Sequence, residues 1–260
     1  MRKPPFNAPA FSRVFAQTFG KVFGVEALFA PEDIPNLLAW YDAADPSTIT
    51  DTNGNVDAWT DKSGNGNDFA QSGAPRPTTG TQTINGLNTI AFNGTNEFLS
   101  IATFTPTPNF TIAMVFRVDG INDELESIIS FNDNLAGNED FQIEANSDVA
   151  YHGDFTSTNL GDITGVRFPT DLDTVEIALI YQLATVDKSV RLFQSSGPVN
   201  SDVGDYNGNL SADQNFKMGV NRGGVQFLNV DIGEMLFINR AIGVQERTQL
   251  FDYFNSRWGT

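Results

Sequence analysis

Two carboxylates offset by two residues on one strand would give a sheet protein the acid and the nucleophile of glycoside hydrolysis, because alternate side chains share a face. Three places approach that pattern. Glu124 and Glu126 have the offset but border an acidic, loop-like stretch. Asp171 and Asp173 follow a proline and precede their strand. Asp231 and Glu234 stand three apart, which puts them on opposite faces of a regular strand. All three read as solvated turn carboxylates rather than a catalytic pair. His152 is the single histidine, and its neighbours Ala150-Tyr151-His152-Gly153-Asp154 contain no nucleophile elbow, so it reads as a strand-end residue. With one histidine and no cysteine there is no zinc-ligating cluster, and no Gly-rich loop with a following lysine is present for phosphate.

Oxygen ligands are better represented. Asp61, Ser63, Asn65 and Gly66 match the first half of a calcium-binding loop, although Ser72 stands where such a loop wants a bidentate Glu. An Asx-rich turn explains the same residues, and both readings stay open.

The other chemistry is that of docking. Phe11, Phe15, Phe19 and Phe23 recur every four residues and, with Val14 and Val22, form one broad apolar face of a helix, while Arg13, Gln17 and Lys21 lie off it. Residues 1–30 carry Arg2, Lys3, Arg13 and Lys21 against Glu26, a charge of +3 in a chain of −17, so the remainder carries −20. Burying four Phe is worth roughly 6–12 kcal/mol, whereas fixing about fourteen residues costs on the order of 14–28 kcal/mol before hydrogen bonds are counted. Alone, with Gly20 and Gly24 in its span, such a helix is marginal. The expectation is an arm of residues 1–30 that gains order against another protein or a like arm. A fold-back onto its own domain and a membrane surface are the weighed alternatives. Arg13, Gln17 and Lys21 interrupt any secretory apolar core, and runs such as Ile177 to Tyr181 are strand length, far short of the ~20 residues that span a bilayer.

The elements that would position these groups are mostly strands. Leu87 to Phe92, Phe98 to Ile101, Phe110 to Val118, Ser127 to Phe131, Phe141 to Glu144, Val175 to Leu183, Val190 to Gln194, Phe216 to Val220 and Ile232 to Ile238 are short, β-branched and aromatic. Asn-Gly pairs at 53–54, 65–66, 85–86, 93–94 and 207–208 supply the positive φ at which chains reverse. In the body only Val244 to Asn255 has helical character, with Gly243 where a Ser, Thr or Asp cap belongs. Twenty-two Phe and 40% hydrophobic residues suffice for one large core, so residues 31–260 read as one domain: an all-β, two-sheet antiparallel sandwich with a short C-terminal helix and the N-terminal arm. Absence of cysteine excludes disulfide staples, and the acidic surface disfavours nucleic acid.

Three patches carry a resemblance: Leu37 to Asp45 with Val56 to Asn67, Asn85 to Gly94, and Ile232 to Ile242 running on to Trp258-Gly259. Together they resemble the concanavalin A-like jelly roll related to laminin G and pentraxin domains, especially versions in bacterial surface proteins and bacteriophage virion proteins, over roughly residues 34–260. The resemblance implies that Trp40, Trp59 and Trp258 are packed, that the closing helix covers a sheet edge, and that calcium at Asp61, Ser63 and Asn65 has precedent. It also implies sugar binding, for which exposed rings are needed; Tyr151, Tyr181 and Tyr206 are the candidates. The resulting expectation is a non-enzymatic bacteriophage structural protein at the virion surface, a capsid decoration or fibre component. Its partners would be other virion proteins, bound through Phe11, Phe15, Phe19, Phe23, Arg13 and Lys21, and further copies of itself. The alternative is an adhesion module for host surface glycans, and a third reading is a polysaccharide-cleaving enzyme.

Overall fold

The Asn-Gly pairs at 53–54 and 85–86 each hold two consecutive residues at positive φ, 55° and 81° in the first and 48° and 75° in the second. That is the backbone of a two-residue turn whose twist matches the flanking strands, so both pairs close hairpins. A computed structural model describes residues 29–260 apart from 74, 108, 121–125, 133–138, 147–149, 158–175, 185–188, 195–196, 204–213 and 222.

Sixteen strands follow one another: β1 (Leu37–Asp42), β2 (Ile49–Thr52), β3 (Asn55–Trp59), β4 (Phe69–Ala70), β5 (Thr78–Ile84), β6 (Leu87–Asn93), β7 (Leu99–Phe104), β8 (Phe110–Gly120), β9 (Glu126–Asn132), β10 (Glu139–Asn146), β11 (Ala150–Ser157), β12 (Glu176–Ala184), β13 (Ser189–Gln194), β14 (Gly197–Val203), β15 (Gln214–Met218) and β16 (Asn229–Ile238). The helix α1 (Val244–Trp258) closes the chain. Every strand expected from the sequence is present within a few residues. The strands β1 to β5 and the edge strands β11 and β14 are additions.

Hydrogen bonding runs in one antiparallel path, β11-β10-β9-β15-β7-β4-β3-β5-β6-β16-β8-β12-β13-β14, with β1 on β16 and β2 on β3. The expected two layers are therefore one sheet that curls over, joined through the β3–β5 corner. Between the layers lies a phenylalanine core. Phe131 and Phe216 have ring centroids 4.5 Å apart, Phe104 and Phe237 4.9 Å, and Phe110 and Phe237 5.1 Å. All five are fully buried.

β16 organises the second layer. Its first half pairs with β6 and its second half with β1, and the change of partner falls at Gly233, whose carbonyl accepts from Ala43 N–H at 2.9 Å. The ladder to β8 also shifts register between Ile232 and Glu234. The bulge flips the side-chain phase. Val230 and Ile232 before it and Met235 and Phe237 after it all face the inner core, while Leu236 and Ile238 face outward into a second cluster.

That second cluster lies beneath α1. Trp40, Ala113, Val115, Leu236 and Ile238 from the sheet meet Leu250, Phe251, Phe254 and Trp258 of the helix. The helix thus covers the outer face of β1, β16 and β8 rather than an edge, because its buried residues Leu250, Phe251, Phe254 and Trp258 repeat at three and four along its second half. Gly243 is its N-cap and supplies no side-chain acceptor; Glu246 partly replaces one by accepting from Gly243 N–H at 3.0 Å.

Candidate functional site

Asp42 on β1 stands opposite Glu234 on β16, and a buried chain of polar side chains grows from that pair. Glu234 is fully buried and accepts from Trp40 Nε1 at 2.7 Å, Trp258 Nε1 at 2.7 Å and the Tyr253 hydroxyl at 2.8 Å. Arg257 donates to the Tyr253 oxygen at 2.6 Å and, through Nη2, to both oxygens of Asp42 at 2.8 and 2.9 Å. Lys62 completes the chain with bonds of 2.9 Å to Asp42 and 2.8 Å to Asp45, its ammonium lying 4.3 Å from the centre of the Trp40 ring. Burial, and then the nearby Asp42, push the Glu234 pKa up. Every hydrogen-bond partner named for Glu234 is a donor, which offsets part of the cost of burying its charge. The site is a clasp between helix and sheet.

The bulge at Gly233 gives Asp231 the same outward direction as Glu234, which corrects the expectation of opposite faces. Nor are these carboxylates solvated: Asp231 is 2% and Glu126 3% exposed. Asp231 accepts from Arg117 Nη2, and Arg117 Nε bonds Asp119 at 2.9 Å while its Nη1 reaches the Thr83 carbonyl at 3.1 Å. Burial, followed by the adjacent Asp119 carboxylate, raises the Asp231 pKa from 3.8 to about 7 against the pull of Arg117. Glu124, Asp171, Asp173 and Tyr206 lie outside the described residues. His152 sits within β11 opposite Glu144, and Tyr151 opposite Ala145, while Tyr181 lies in β12.

Asp61, Ser63 and Asn65 converge on β1. Asp61 Oδ1 accepts from Trp40 N–H at 2.9 Å and Ser63 N–H at 2.8 Å, and Oδ2 from the Ser63 hydroxyl at 2.8 Å and Asn67 N–H at 3.2 Å. The Asn65 amide donates to the carbonyls of Leu37 and Leu38 at 2.9 and 3.1 Å, and Asn67 donates to Leu38 at 2.8 Å. Both Asp61 oxygens thus accept from donors of the loop and of β1, the arrangement of an Asx-rich turn that laces down the strand, whereas a calcium ion would need the same oxygens turned toward a common centre. Among the described residues no three His, Cys, Asp or Glu side chains gather as a metal site.

Among the described residues an open cleft lies beside this scaffold. Its volume is about 400 Å³, and it is lined by Ala43, Ala44, Pro46, Ile49, Asp51, Thr79, Gly80 and Asn88. One wall follows the end of β1 and the start of β2, and the other is the β5–β6 hairpin. Asn88 joins them: its amide donates to the Ala43 carbonyl at 2.8 Å and to Thr79 Oγ1 at 2.9 Å, and its oxygen accepts from Gly80 N–H at 2.7 Å. Gly80, at φ 74°, would direct a Cβ into open space, so the wall is low there. Ala44 N–H is held by Asp42 at 3.1 Å, which ties the floor to the buried chain. Asp51 stands exposed at the mouth, with one oxygen accepting from Gly54 N–H at 2.8 Å.

The docking residues Phe11, Arg13, Phe15, Phe19, Lys21 and Phe23 lie outside the described residues. The cleft had no sequence motif to reveal it, since its residues come from three segments. The Glu234 clasp had a partial one in Trp40, Trp258 and Arg257 inside the resemblance patches.

No protein-family model matches the chain, and no curated protein matches it. Solved structures do. Trypanosoma rangeli sialidase in complex with 2,3-difluorosialic acid superposes with a TM-score of 0.58 at 13% identity, over 90% of this chain and 34% of that one, so the chain spans about a third of the sialidase. Domain 4 of AbnA, a GH43 extracellular arabinanase from Geobacillus stearothermophilus, in complex with arabinotriose, superposes with a TM-score of 0.59 at 13% identity, over 83% of this chain and 98% of that domain. At such identity the likeness is one of fold, and the fold is the lectin-like, concanavalin A-like jelly roll.

Proposed function

We propose that this chain is a non-catalytic carbohydrate-binding domain. The observation that carries the reading is the correspondence, over 83% of this chain and 98% of the other, with a domain solved in complex with arabinotriose. Because fold alone does not imply function, the state of the carboxylates matters as much. Asp42, Asp61, Asp231 and Glu234 are buried and bonded to donors, and none forms an open pair across a groove in the manner of a glycosidase. The cleft beside β1 mixes aliphatic surface with hydroxyl, amide and carboxylate groups, as sugar recognition needs. Incubation of the purified chain with immobilised polysaccharides tests the reading. Retention without release of reducing ends supports it, release of reducing ends replaces it with hydrolysis, and no retention on any glycan defeats it.

A second reading concerns where the domain is displayed. The four Phe at intervals of four on a +3 leader, ahead of an acidic body, favour attachment of residues 1–30 to a protein partner in a bacteriophage particle, with the jelly roll facing outward. Several weakly anchored copies would bind by avidity. Deletion of residues 1–30 should leave a folded body that no longer joins the particle. Normal incorporation of the truncated chain would place the anchor elsewhere.

A further inference from the structure

We infer that the ligand of the cleft beside β1 is an uncharged sugar unit, held by hydroxyl contacts to Asp51 and Thr79, and that acidic sugars are excluded from it. The inference rests on the carbohydrate-binding reading and narrows it to one site and one class of glycan.

The volume comes first. About 400 Å³ lies near the lower end of the roughly 300–1,000 Å³ of small-molecule sites, so the cleft takes one or two sugar rings and not an extended chain. Its floor and one side are Ala43, Ala44, Pro46 and Ile49, aliphatic surface suited to the C–H face of a ring. The polar groups come from both walls, Asp51 from β2 beyond Ile49 and Thr79 from the facing hairpin. Asp51 uses Oδ1 for the Gly54 N–H, leaving Oδ2 to accept from a hydroxyl. Thr79 Oγ1 accepts from Asn88, which leaves the hydroxyl proton to be donated. One acceptor and one donor beside an aliphatic patch are complementary to a sugar's hydroxyls and useless to a purely apolar ligand.

Charge decides the class. A sugar carboxylate is recognised through arginine or lysine, whose charge-assisted bonds offset its desolvation. No basic residue lines the cleft. The cations bonded to the acidic residues that flank the floor are committed there: Lys62 to Asp42 and Asp45, and Arg257 to Asp42. The one charge that faces the opening is the Asp51 carboxylate, on a body whose net charge is already strongly negative. A sialic or uronic acid would bring like charge to Asp51 with nothing to neutralise either.

The test is calorimetric titration of the full chain with neutral oligosaccharides (arabinotriose, cellotriose, lactose) and acidic ones (3′-sialyllactose, tri-galacturonate), repeated with Asp51→Asn and Asp51→Lys. Asn keeps an oxygen for the Gly54 turn, and melting curves check that both variants stay folded. Binding of a neutral glycan that weakens at least tenfold in Asp51→Asn, together with no binding of the acidic set, is the expected result. Neutral binding unchanged in both variants, or 3′-sialyllactose bound as well as lactose, overturns the assignment while leaving a carbohydrate-binding domain. Absence of binding to every glycan overturns both.

Discussion

Asp231 and Glu234 project from the same face of β16 although they stand three positions apart, because the bulge at Gly233 inserts one extra residue between their phases. The consequence reaches across the second layer. Before the bulge the strand pairs with β6 and presents Asp231 to Arg117; after it the strand pairs with β1 and presents Glu234 to the underside of α1. One backbone irregularity therefore sets the strand exchange, two buried carboxylates and the seat of the helix. The cleft inherits its position from the same point, since Ala43, on its floor, is bonded to the Gly233 carbonyl.

Gly233→Ala should destabilise the domain. A Cβ there would lie 2.7 Å and 2.8 Å from Trp258 ring atoms, and that ring is fixed by its bond to Glu234 and by burial on every side. Overpacking of this kind costs about 1–3 kcal/mol. A lower denaturant midpoint at unchanged slope is the expected result. In a double-mutant cycle with Trp258→Phe, the smaller ring should relieve part of the clash, so the two losses should add to less than their sum.

Glu234→Gln tests the clasp without changing its shape. The amide keeps one acceptor but turns an NH₂ toward groups that are themselves donors, Trp40, Trp258 and Tyr253. Breaking a buried charged network in this way costs about 3–5 kcal/mol. Unfolding in urea should show a loss of that order. A change of only a few tenths would mean that the helix is held by apolar contact alone.

The strands were legible because each is a short run of β-branched and aromatic residues between Asn-Gly or proline breaks, and that signal is local. Leu87–Asn93 and Phe110–Gly120 match their expected spans closely. The bulge was not legible, since Ile232-Gly233-Glu234 looks like a strand interior until the partner on its edge is known. The burial of Asp231, Glu234 and Glu126 was lost with it: a carboxylate in a sequence looks solvated unless its donors are seen, and those donors come from elements up to 194 residues away. The Asp61 loop was half legible. Its residue types announce oxygen chemistry, but whether the oxygens face a cation or the backbone of β1 depends on how close that strand lies.

Gly243→Ser should stabilise α1 by a few tenths of a kcal/mol. Gly243 already has the extended backbone of an N-cap, φ −76° and ψ 170°, and lacks only an acceptor for the first free N–H groups of the helix. Nothing approaches its Cβ position more closely than the Glu246 carboxylate at 3.7 Å, so a side chain fits. A small rise in melting temperature checks it; a fall would mean that the serine displaces Glu246 from Gly243 N–H.

Stability should decline as pH rises from 3.8 toward about 7. Asp231 titrates at about 7 in the folded chain against 3.8 when free, so between those values the native state holds a proton the unfolded chain has lost. Its contribution is present at the acid end of that window and disappears toward pH 7. Asp45 acts in the other direction. Bonds from Lys62 and Ser47 lower it to about 2, so its contribution is present above 3.8 and is lost only as pH falls through 2. Urea midpoints measured from about pH 5 to about pH 8 should therefore fall in the parent chain and fall less steeply in Asp231→Asn, where the raised pKa of Glu234 still contributes. Equal slopes in the two proteins would assign the pH dependence to another group.

Asp61→Asn separates a structural loop from a calcium site. In the structure both carboxylate oxygens accept hydrogen bonds, from the backbone of Trp40, Ser63 and Asn67 and from the Ser63 hydroxyl. An asparagine there keeps one oxygen and turns an NH₂ toward donors, leaving buried N–H groups without acceptors at about 1–3 kcal/mol. The loss should be the same with calcium or with chelator present, because the parent's melting temperature should not respond to either. A calcium-dependent rise in the parent that vanishes in Asp61→Asn would show the carboxylate exchanging its donors for a metal, since a ligand that binds only the folded state must raise its stability with concentration.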